Sequence, residues 1–179
     1  MDFQILTLIN NFGHGTRLDT FSQIISRNRC MILIRGIAIT VAIILKKKSW
    51  KFVLFSFILA GTLFYTISEI GFKTILVQEV GVRPRPYVAH ATIIKPIGKN
   101  YSDSSFPSSH MVLTVAMITV FIILFPAVRP YAILYALLMA WSRMYNGMHY
   151  PSDVIVGTMI GILCGRGAVV LSKRVFLSE

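Results

Sequence analysis

The 179-residue chain is strongly apolar, since 55% of its residues are hydrophobic and only 14% are charged, against about 25% charged residues in an average soluble domain. Together with a mean hydropathy of +0.68, this composition excludes disordered, fibrous and ordinary soluble folds. The net charge of +11 predicts anionic partners such as lipid headgroups or phosphates. Nucleic acid is disfavoured, because its binding domains are basic but seldom this apolar.

The first 29 residues alternate apolar and polar side chains at helical spacing, and Gly13 and Gly15 interrupt the pattern. We predict two amphipathic helices that lie in the membrane interface, with a short sixth span as the alternative. The segment has neither a basic region nor a small-residue cleavage site, so we expect no cleavable signal peptide.

Five later segments approach the roughly 20 apolar residues that a spanning helix needs. They cover residues 30–45, 52–72, 111–125, 131–144 and 154–171. The sequence therefore predicts an all-α, polytopic integral membrane bundle of five to six helices, with one long extracytoplasmic loop. We assign residues 1–179 to a single membrane domain, divided into interfacial helices (1–29), two spans (30–72), the long loop (73–110) and three further spans (111–172).

Glycines recur every fourth residue in the last segment, at Gly157, Gly161 and Gly165. This spacing places them on one helix face and predicts close packing against a neighbouring helix. We assign this face no chemistry.

Basic residues suggest the orientation in the membrane. The cluster at 46–51, Arg129 and the pair Lys173 and Arg174 fall on one side, which the positive-inside rule makes cytoplasmic. The long loop and the turn at 145–153 then share the opposite side. The loop also carries five cations, against that rule, and an anionic substrate would account for them.

Three polar stretches lie on this non-cytoplasmic side, at residues 83–86, 106–110 and 142–153. In the third stretch His149 and Asp153 are four residues apart, so the carboxylate can reach the ring. An Asp bonded to one imidazole nitrogen leaves the other nitrogen bare, as a nucleophile or base.

The other two stretches supply groups that suit a phosphate. His110 follows Ser108 and Ser109 at a predicted helix start, where free N–H groups favour anions. Arg85 and Arg143 can grip phosphate oxygens in bidentate fashion. Two histidines and two arginines can perform phosphoryl transfer without a metal. A metal site would need more carboxylates or cysteines than this side offers, and we predict neither a metal nor another cofactor.

These stretches resemble the signature of the type 2 phosphatidic acid phosphatase family, membrane lipid phosphatases related to glucose-6-phosphatase and the vanadium haloperoxidases. The third part of the signature matches in full, at Ser142, Arg143, His149 and Asp153. The second part matches at Pro107, Ser108 and His110, with Ser109 in place of Gly, and the first part matches only at Arg85 and Pro86. The resemblance covers residues 73–172.

One departure concerns the signature Lys, which should precede its Arg by seven residues. Gln78 occupies that position, and the nearest lysine is Lys73, twelve residues before Arg85. We predict that Lys73 fills the role, with Lys95 and Lys99 as alternatives. Ser109 adds a side chain near the phosphate but keeps the backbone N–H that the family uses.

The resemblance implies a role for each group. His149 would attack phosphorus and become phosphohistidine, Asp153 would orient His149 and stabilise its positive form, and His110 would protonate the leaving oxygen and then activate water. At rest His149 is then neutral and His110 charged, which predicts a bell-shaped pH profile. The expected phosphate-binding residues are Arg85, Arg143, Ser108, Ser109, Lys73 and Arg83.

The implied substrate is a phosphorylated membrane lipid, reached from the extracytoplasmic face of a bacterial inner membrane. We favour lipid A 1-phosphate, with undecaprenyl diphosphate and phosphatidylglycerol phosphate as alternatives. A lipid phosphotransferase and a non-catalytic lipid-binding homologue stay open, as does the oligomeric state. Two charges lie within the first two spans: Arg35 either snorkels or contacts a lipid phosphate, and we expect Glu69 to pair with a cation.

Overall fold

A computed structural model describes residues 1–176, which form helices and loops without a β-strand. A π-helix, Tyr65–Leu76, directly follows the α-helix Trp50–Phe64 and continues into the short α-helix Val77–Val80. Short 3-10 turns, Lys47–Ser49 and Pro126–Val128, precede the α-helices that begin at Trp50 and Arg129. In chain order the α-helices are α1 Asp2–Asn11, α2 Arg17–Ser26, α3 Asn28–Leu45, α4 Trp50–Phe64, α5 Val77–Val80, α6 Pro86–Ala89, α7 Ser109–Leu124, α8 Arg129–Tyr145 and α9 Pro151–Phe176.

Helix α9 forms the centre of the bundle and packs against α7 and α4. The contact with α7 is made by Gly157, Gly161 and Gly165, which confirms the predicted close packing against a neighbouring helix. A Cβ atom on Gly161 would lie 2.7 Å from the carbonyl oxygen of Val112 and 2.8 Å from Cβ of Val115. Such close backbone approach requires small residues. It also brings the first turns of α7 and α9 together, where the polar motifs lie.

The helices confirm an all-α membrane protein. Among residues 1–176, three helical stretches are long and apolar enough to cross a membrane: α3, the continuous helix over Lys47–Val80, and α9. Helices α7 and α8 have 16 and 17 residues, which rise about 24 and 26 Å, slightly less than a hydrocarbon core of about 30 Å. The number of spans therefore stays a prediction.

The long loop begins later than predicted. Residues 73–80 continue the second spanning helix, and the chain leaves it at Gly81, where φ is +82°. The prediction began the loop at Lys73 because proline and glycine are frequent in the segment as a whole. The first of these helix-breaking residues is Gly81 itself, so nothing before it interrupts the helix.

The two N-terminal helices are present, with the break at Gly13 and Gly15, both at positive φ. Each has 10 residues and rises only about 15 Å. Both pack against α8, and the Asn10 side chain donates hydrogen bonds to the carbonyl oxygens of Tyr145 (2.7 Å) and Lys95 (3.0 Å). Their placement in the membrane interface stays a prediction.

The basic segments gather at one end of the bundle. Lys46 lies over the ring of Phe125, and Phe176 at the end of α9 packs on Phe52 and Phe55 at the start of α4. The polar motifs lie at the opposite ends of α7 and α9, at the other end of the bundle.

Candidate active site

His149 is buried in the turn between α8 and α9, with 1% of its surface exposed. Its Nδ1 lies 2.8 Å from the carbonyl oxygen of Ser105. A carbonyl oxygen only accepts hydrogen bonds, so Nδ1 carries the proton and Nε2 is unprotonated. Nε2 lies 3.3 Å from Nη1 of Arg85, which donates to it. The ring is therefore held in the tautomer that a nucleophile needs.

Asp153 does not make the hydrogen bond to His149 that the sequence predicted. Its Oδ2 is 3.8 Å from Nδ1, beyond hydrogen-bond distance, and accepts a hydrogen bond from the backbone N–H of Tyr150 at 2.9 Å. The Ser105 carbonyl occupies the orienting position instead. The buried Asp153 carboxylate can still act on His149 through its charge.

Arg83 was predicted to bind phosphate, but in the structure its guanidinium binds carboxylates of the protein. Its Nη1 contacts Asp153 Oδ1 and donates to Oγ of Ser152 at 2.9 Å, and its Nη2 contacts Asp2 Oδ2 at 3.0 Å. The guanidinium carbon lies 4.4 Å from the ring centroid of Tyr150. Since its donors meet these partners, Arg83 is the counter-ion of Asp153 and links α9 to α1.

Arg85 and Lys73 meet at one carboxylate. Asp103 accepts a hydrogen bond from Nζ of Lys73 and another from Nη2 of Arg85, both at 2.6 Å. Burial alone would raise the pKa of Asp103, but the hydrogen bonds and charges of Lys73 and Arg85 outweigh it and hold the pKa below its usual value. The helical extension to Val80 thus brings Lys73 next to Arg85 despite the unexpected spacing.

Arg143 lies in the last turn of α8 and is buried. Within the described part of the chain its Nε has no hydrogen-bond partner, and neither do Oγ of Ser108, Oγ of Ser109 or Nε2 of His110 at the start of α7. Buried polar atoms are usually hydrogen-bonded, so these four are available to a ligand. A hydrogen bond from Ser108 N to the Asp153 carbonyl oxygen, 3.2 Å long, ties the two helix starts together.

The electrostatic environment keeps His149 neutral. Burial lowers the pKa of His149 well below its usual value, and the positive charges of Arg143 and Arg85 lower it further. Among residues 1–176, no three His, Cys, Asp or Glu side chains lie close enough together to hold a metal ion. The charged groups that converge around His149 are mainly cations, an arrangement that suits an anionic ligand.

Sequence reasoning missed three groups. The Ser105 carbonyl carries no side-chain signal, so no motif could have indicated it. Asp103 is one of the few acids on the predicted extracytoplasmic side, but its contact with both Lys73 and Arg85 was not predicted. Asp2 accepts hydrogen bonds from the backbone and side chain of Ser152. The two residues are 150 positions apart in the chain, and no sequence pattern links them.

Two solved structures share this fold. LpxE of Aquifex aeolicus aligns over 94% of both chains with a TM-score of 0.69 and 23% identity. A PAP2-type phosphatidylglycerolphosphate phosphatase of Bacillus subtilis aligns over 97% of this chain and 85% of its own, with a TM-score of 0.70 and 19% identity. At these identities the likeness concerns the fold.

Curated relatives match part of the sequence. A lipid A 1-phosphatase of Rhizobium johnstonii is 33% identical over 102 residues, which are 55% of this chain and 42% of the relative. An undecaprenyl-diphosphatase of Bacillus subtilis is 30% identical over 90 residues, 50% of this chain and 46% of the relative. The match thus spans less than half the length of these two relatives. The family model of the PAP2 superfamily matches residues 50–176, well over half of the chain, and the chain therefore belongs to the PAP2 superfamily.

Proposed function

We propose that this protein is a membrane lipid phosphatase that acts through a phosphohistidine. The observation that carries the proposal is the buried His149, whose unprotonated Nε2 lies beside Arg85. Nε2 attacks phosphorus, the bond between phosphorus and the lipid oxygen breaks, and His110 gives its proton to that oxygen. Arg85, Arg143, Lys73, Ser108 and Ser109 hold the phosphoryl oxygens, and both arginines supply the electrophilic stabilisation.

The second step returns the enzyme to its starting state. His110 takes a proton from water as the water oxygen attacks the phosphohistidine, the P–N bond breaks and inorganic phosphate leaves. Phosphohistidine with Nδ1 protonated is cationic on the ring, and the Asp153 carboxylate, 3.8 Å from Nδ1, stabilises that charge. Asp153 is thus an electrostatic group in both steps, while the Ser105 carbonyl orients the ring.

A lipid substrate fits the surroundings of the site. A cavity of about 360 Å³ next to His110 and Ser109 is lined by apolar side chains of α3, α4 and α7 and by the polar side chains of Asn28, Arg35 and Glu69. We propose lipid A 1-phosphate as the substrate, supported by the Rhizobium johnstonii relative. Undecaprenyl diphosphate is the second candidate, supported by the Bacillus subtilis relative. The basic end of the bundle supports a cytoplasmic position for that end, with the active site facing outward from the inner membrane.

The test is phosphate release by the purified protein in detergent, with lipid A, undecaprenyl diphosphate and phosphatidylglycerol phosphate in parallel. We expect release from one lipid, unchanged by a chelator and lost in His149→Ala. With a 32P-labelled substrate the wild type should form an acid-labile, alkali-stable phosphoenzyme that the variant does not form.

Other results would contradict parts of the proposal. Release that a chelator stops would refute the metal-free mechanism. A labelled lipid product on a thin-layer plate, without inorganic phosphate, would show phosphotransfer. Absence of any release from folded, monodisperse protein would favour a non-catalytic lipid-binding role.

A further inference from the structure

Arg35 is a half-buried cation inside the first spanning helix, α3. Its Nη2 donates a hydrogen bond to Oγ1 of Thr114 at 2.9 Å, and its Nε has no partner within the described residues. No carboxylate of residues 1–176 lies within salt-bridge distance of it. An ionisable side chain within a membrane span is costly, and such residues are usually functional.

The position of Arg35 relative to His110 follows from α7. Thr114 comes four residues after His110 on that helix, so Arg35 binds α7 about one helical turn deeper in the bundle than His110. Arg35, His110 and Ser109 all line the cavity of about 360 Å³ described above. His110 gives its proton to the leaving oxygen, so this cavity is on the leaving-group side of the site.

Arg35 also lines a second cavity, of about 310 Å³, between α3, α7 and α8. Its walls are almost entirely apolar and include Ile39, Met117 and Phe121, and the Tyr135 hydroxyl, buried there, has no hydrogen-bond partner among the described residues. The guanidinium therefore stands where the polar cavity beside His110 meets an apolar groove. A lipid whose phosphate sits at His149 would extend through the first cavity, past Arg35, into this groove.

We propose that, when the substrate is a lipid diphosphate, Arg35 binds its second phosphate, the one that departs with the lipid, and so favours lipid diphosphates over lipid monophosphates. This inference rests on the proposed function. In such a reaction the bond between the terminal phosphorus and the bridging oxygen breaks, and the leaving group is a lipid monophosphate. Negative charge then develops on that phosphate, where His110 supplies a proton and Arg35 a positive charge. A monophosphate ester has no anion at this position.

One acidic side chain lines the same cavity. Glu69 was expected to pair with a cation, but its described contact is a hydrogen bond from Ser68 Oγ at 3.4 Å, and no cation of residues 1–176 lies within 4.0 Å of it. The ion pair expected for Glu69 is thus not formed among the described residues. The charge of Arg35 is left for a ligand.

The experiment compares farnesyl diphosphate with farnesyl monophosphate, two substrates that share one chain and differ by one phosphate. For Arg35→Gln we expect kcat/KM to fall about 10- to 100-fold on the diphosphate, as for the loss of a hydrogen bond to a charged group, and less than about threefold on the monophosphate. Arg35→Lys should restore part of the loss. Arg166→Gln is the matched control, since Arg166 is an exposed arginine within span α9 and lines neither cavity.

An equal loss on both substrates, or no loss on either, would overturn the inference. The proposed function itself fails only if none of the three lipids named above gives His149-dependent phosphate release. If neither farnesyl substrate is hydrolysed, binding still tests the role of Arg35. In that case the probe is the non-hydrolysable methylene diphosphonate analogue of farnesyl diphosphate. Arg35→Gln should weaken its binding about tenfold and leave the binding of farnesyl monophosphonate unchanged, whereas equal binding to both proteins would refute the second phosphate site.

Discussion

The substitution Asp153→Asn separates two roles that one carboxylate could have. If Asp153 oriented His149, the variant would lose the correct tautomer, but the Ser105 carbonyl already holds Nδ1–H at 2.8 Å. What the variant loses is a negative charge 3.8 Å from Nδ1. At an effective dielectric constant of about 20, that charge stabilises a cationic ring by about 4 kcal/mol. We therefore expect kcat to fall about 10³-fold, with KM nearly unchanged.

The pH profile gives a second, independent result for the same variant. A nearby carboxylate favours the protonated imidazole, so its removal lowers the pKa of His149 further, and the acid limb of kcat/KM should move to lower pH. The matched control is Asp2→Asn, because Asp2 contacts the same Arg83 without approaching His149. The control should lose less than about tenfold. A loss under tenfold in Asp153→Asn, with an unmoved acid limb, would refute the electrostatic role.

Three further predictions concern other parts of the molecule. Because burial lowers the pKa of His149, the acid limb of the wild-type kcat/KM profile should have its midpoint below pH 6.5; a midpoint at or above 6.5 would contradict this environment. Asp103→Asn removes the negative charge between Lys73 and Arg85 and one of the two oxygens that accept from them. KM should rise about tenfold in steady-state kinetics, whereas an unchanged KM would show that this bridge does not position the cations. Gly161→Ala places a Cβ 2.7 Å from a carbonyl oxygen of α7 and should lower the free energy of unfolding by about 1–3 kcal/mol, measured by thermal unfolding in detergent. The control is Gly36→Ala, where a Cβ would have no atom within 4 Å, and it should not destabilise the protein.

The sequence predicted the parts of the site that depend on helical spacing. The turn that carries His149, the packing of α9 on α7 through Gly161, and the start of α7 at Ser109 all follow from local patterns. It could not predict contacts made by long-range folding. Asp153 pairs with Arg83, which lies 70 residues earlier in the chain. No local sequence pattern indicates that these two residues meet.

Lys73 is a residue whose position in the sequence does not fit the signature but whose side chain lies near Arg85. A rule based on sequence spacing placed the signature lysine at Gln78, and the nearest lysine, Lys73, lies five residues earlier. The structure brings that lysine to Arg85 through Asp103, since both cations bind the same carboxylate. A helix that extends further than expected can thus bring two cations to one carboxylate although their spacing in the sequence differs from the signature.

The hydrogen bond from His149 to the Ser105 carbonyl has a consequence for how this protein tolerates genetic change. The acceptor is a backbone atom, so every substitution at position 105 keeps it. A second backbone bond, from Ser105 N to the Arg83 carbonyl oxygen at 2.9 Å, holds the same peptide in register. An alanine scan would therefore find this position nearly silent, although its carbonyl oxygen orients the His149 ring. Variation would reach this contact through insertions or deletions that displace the loop.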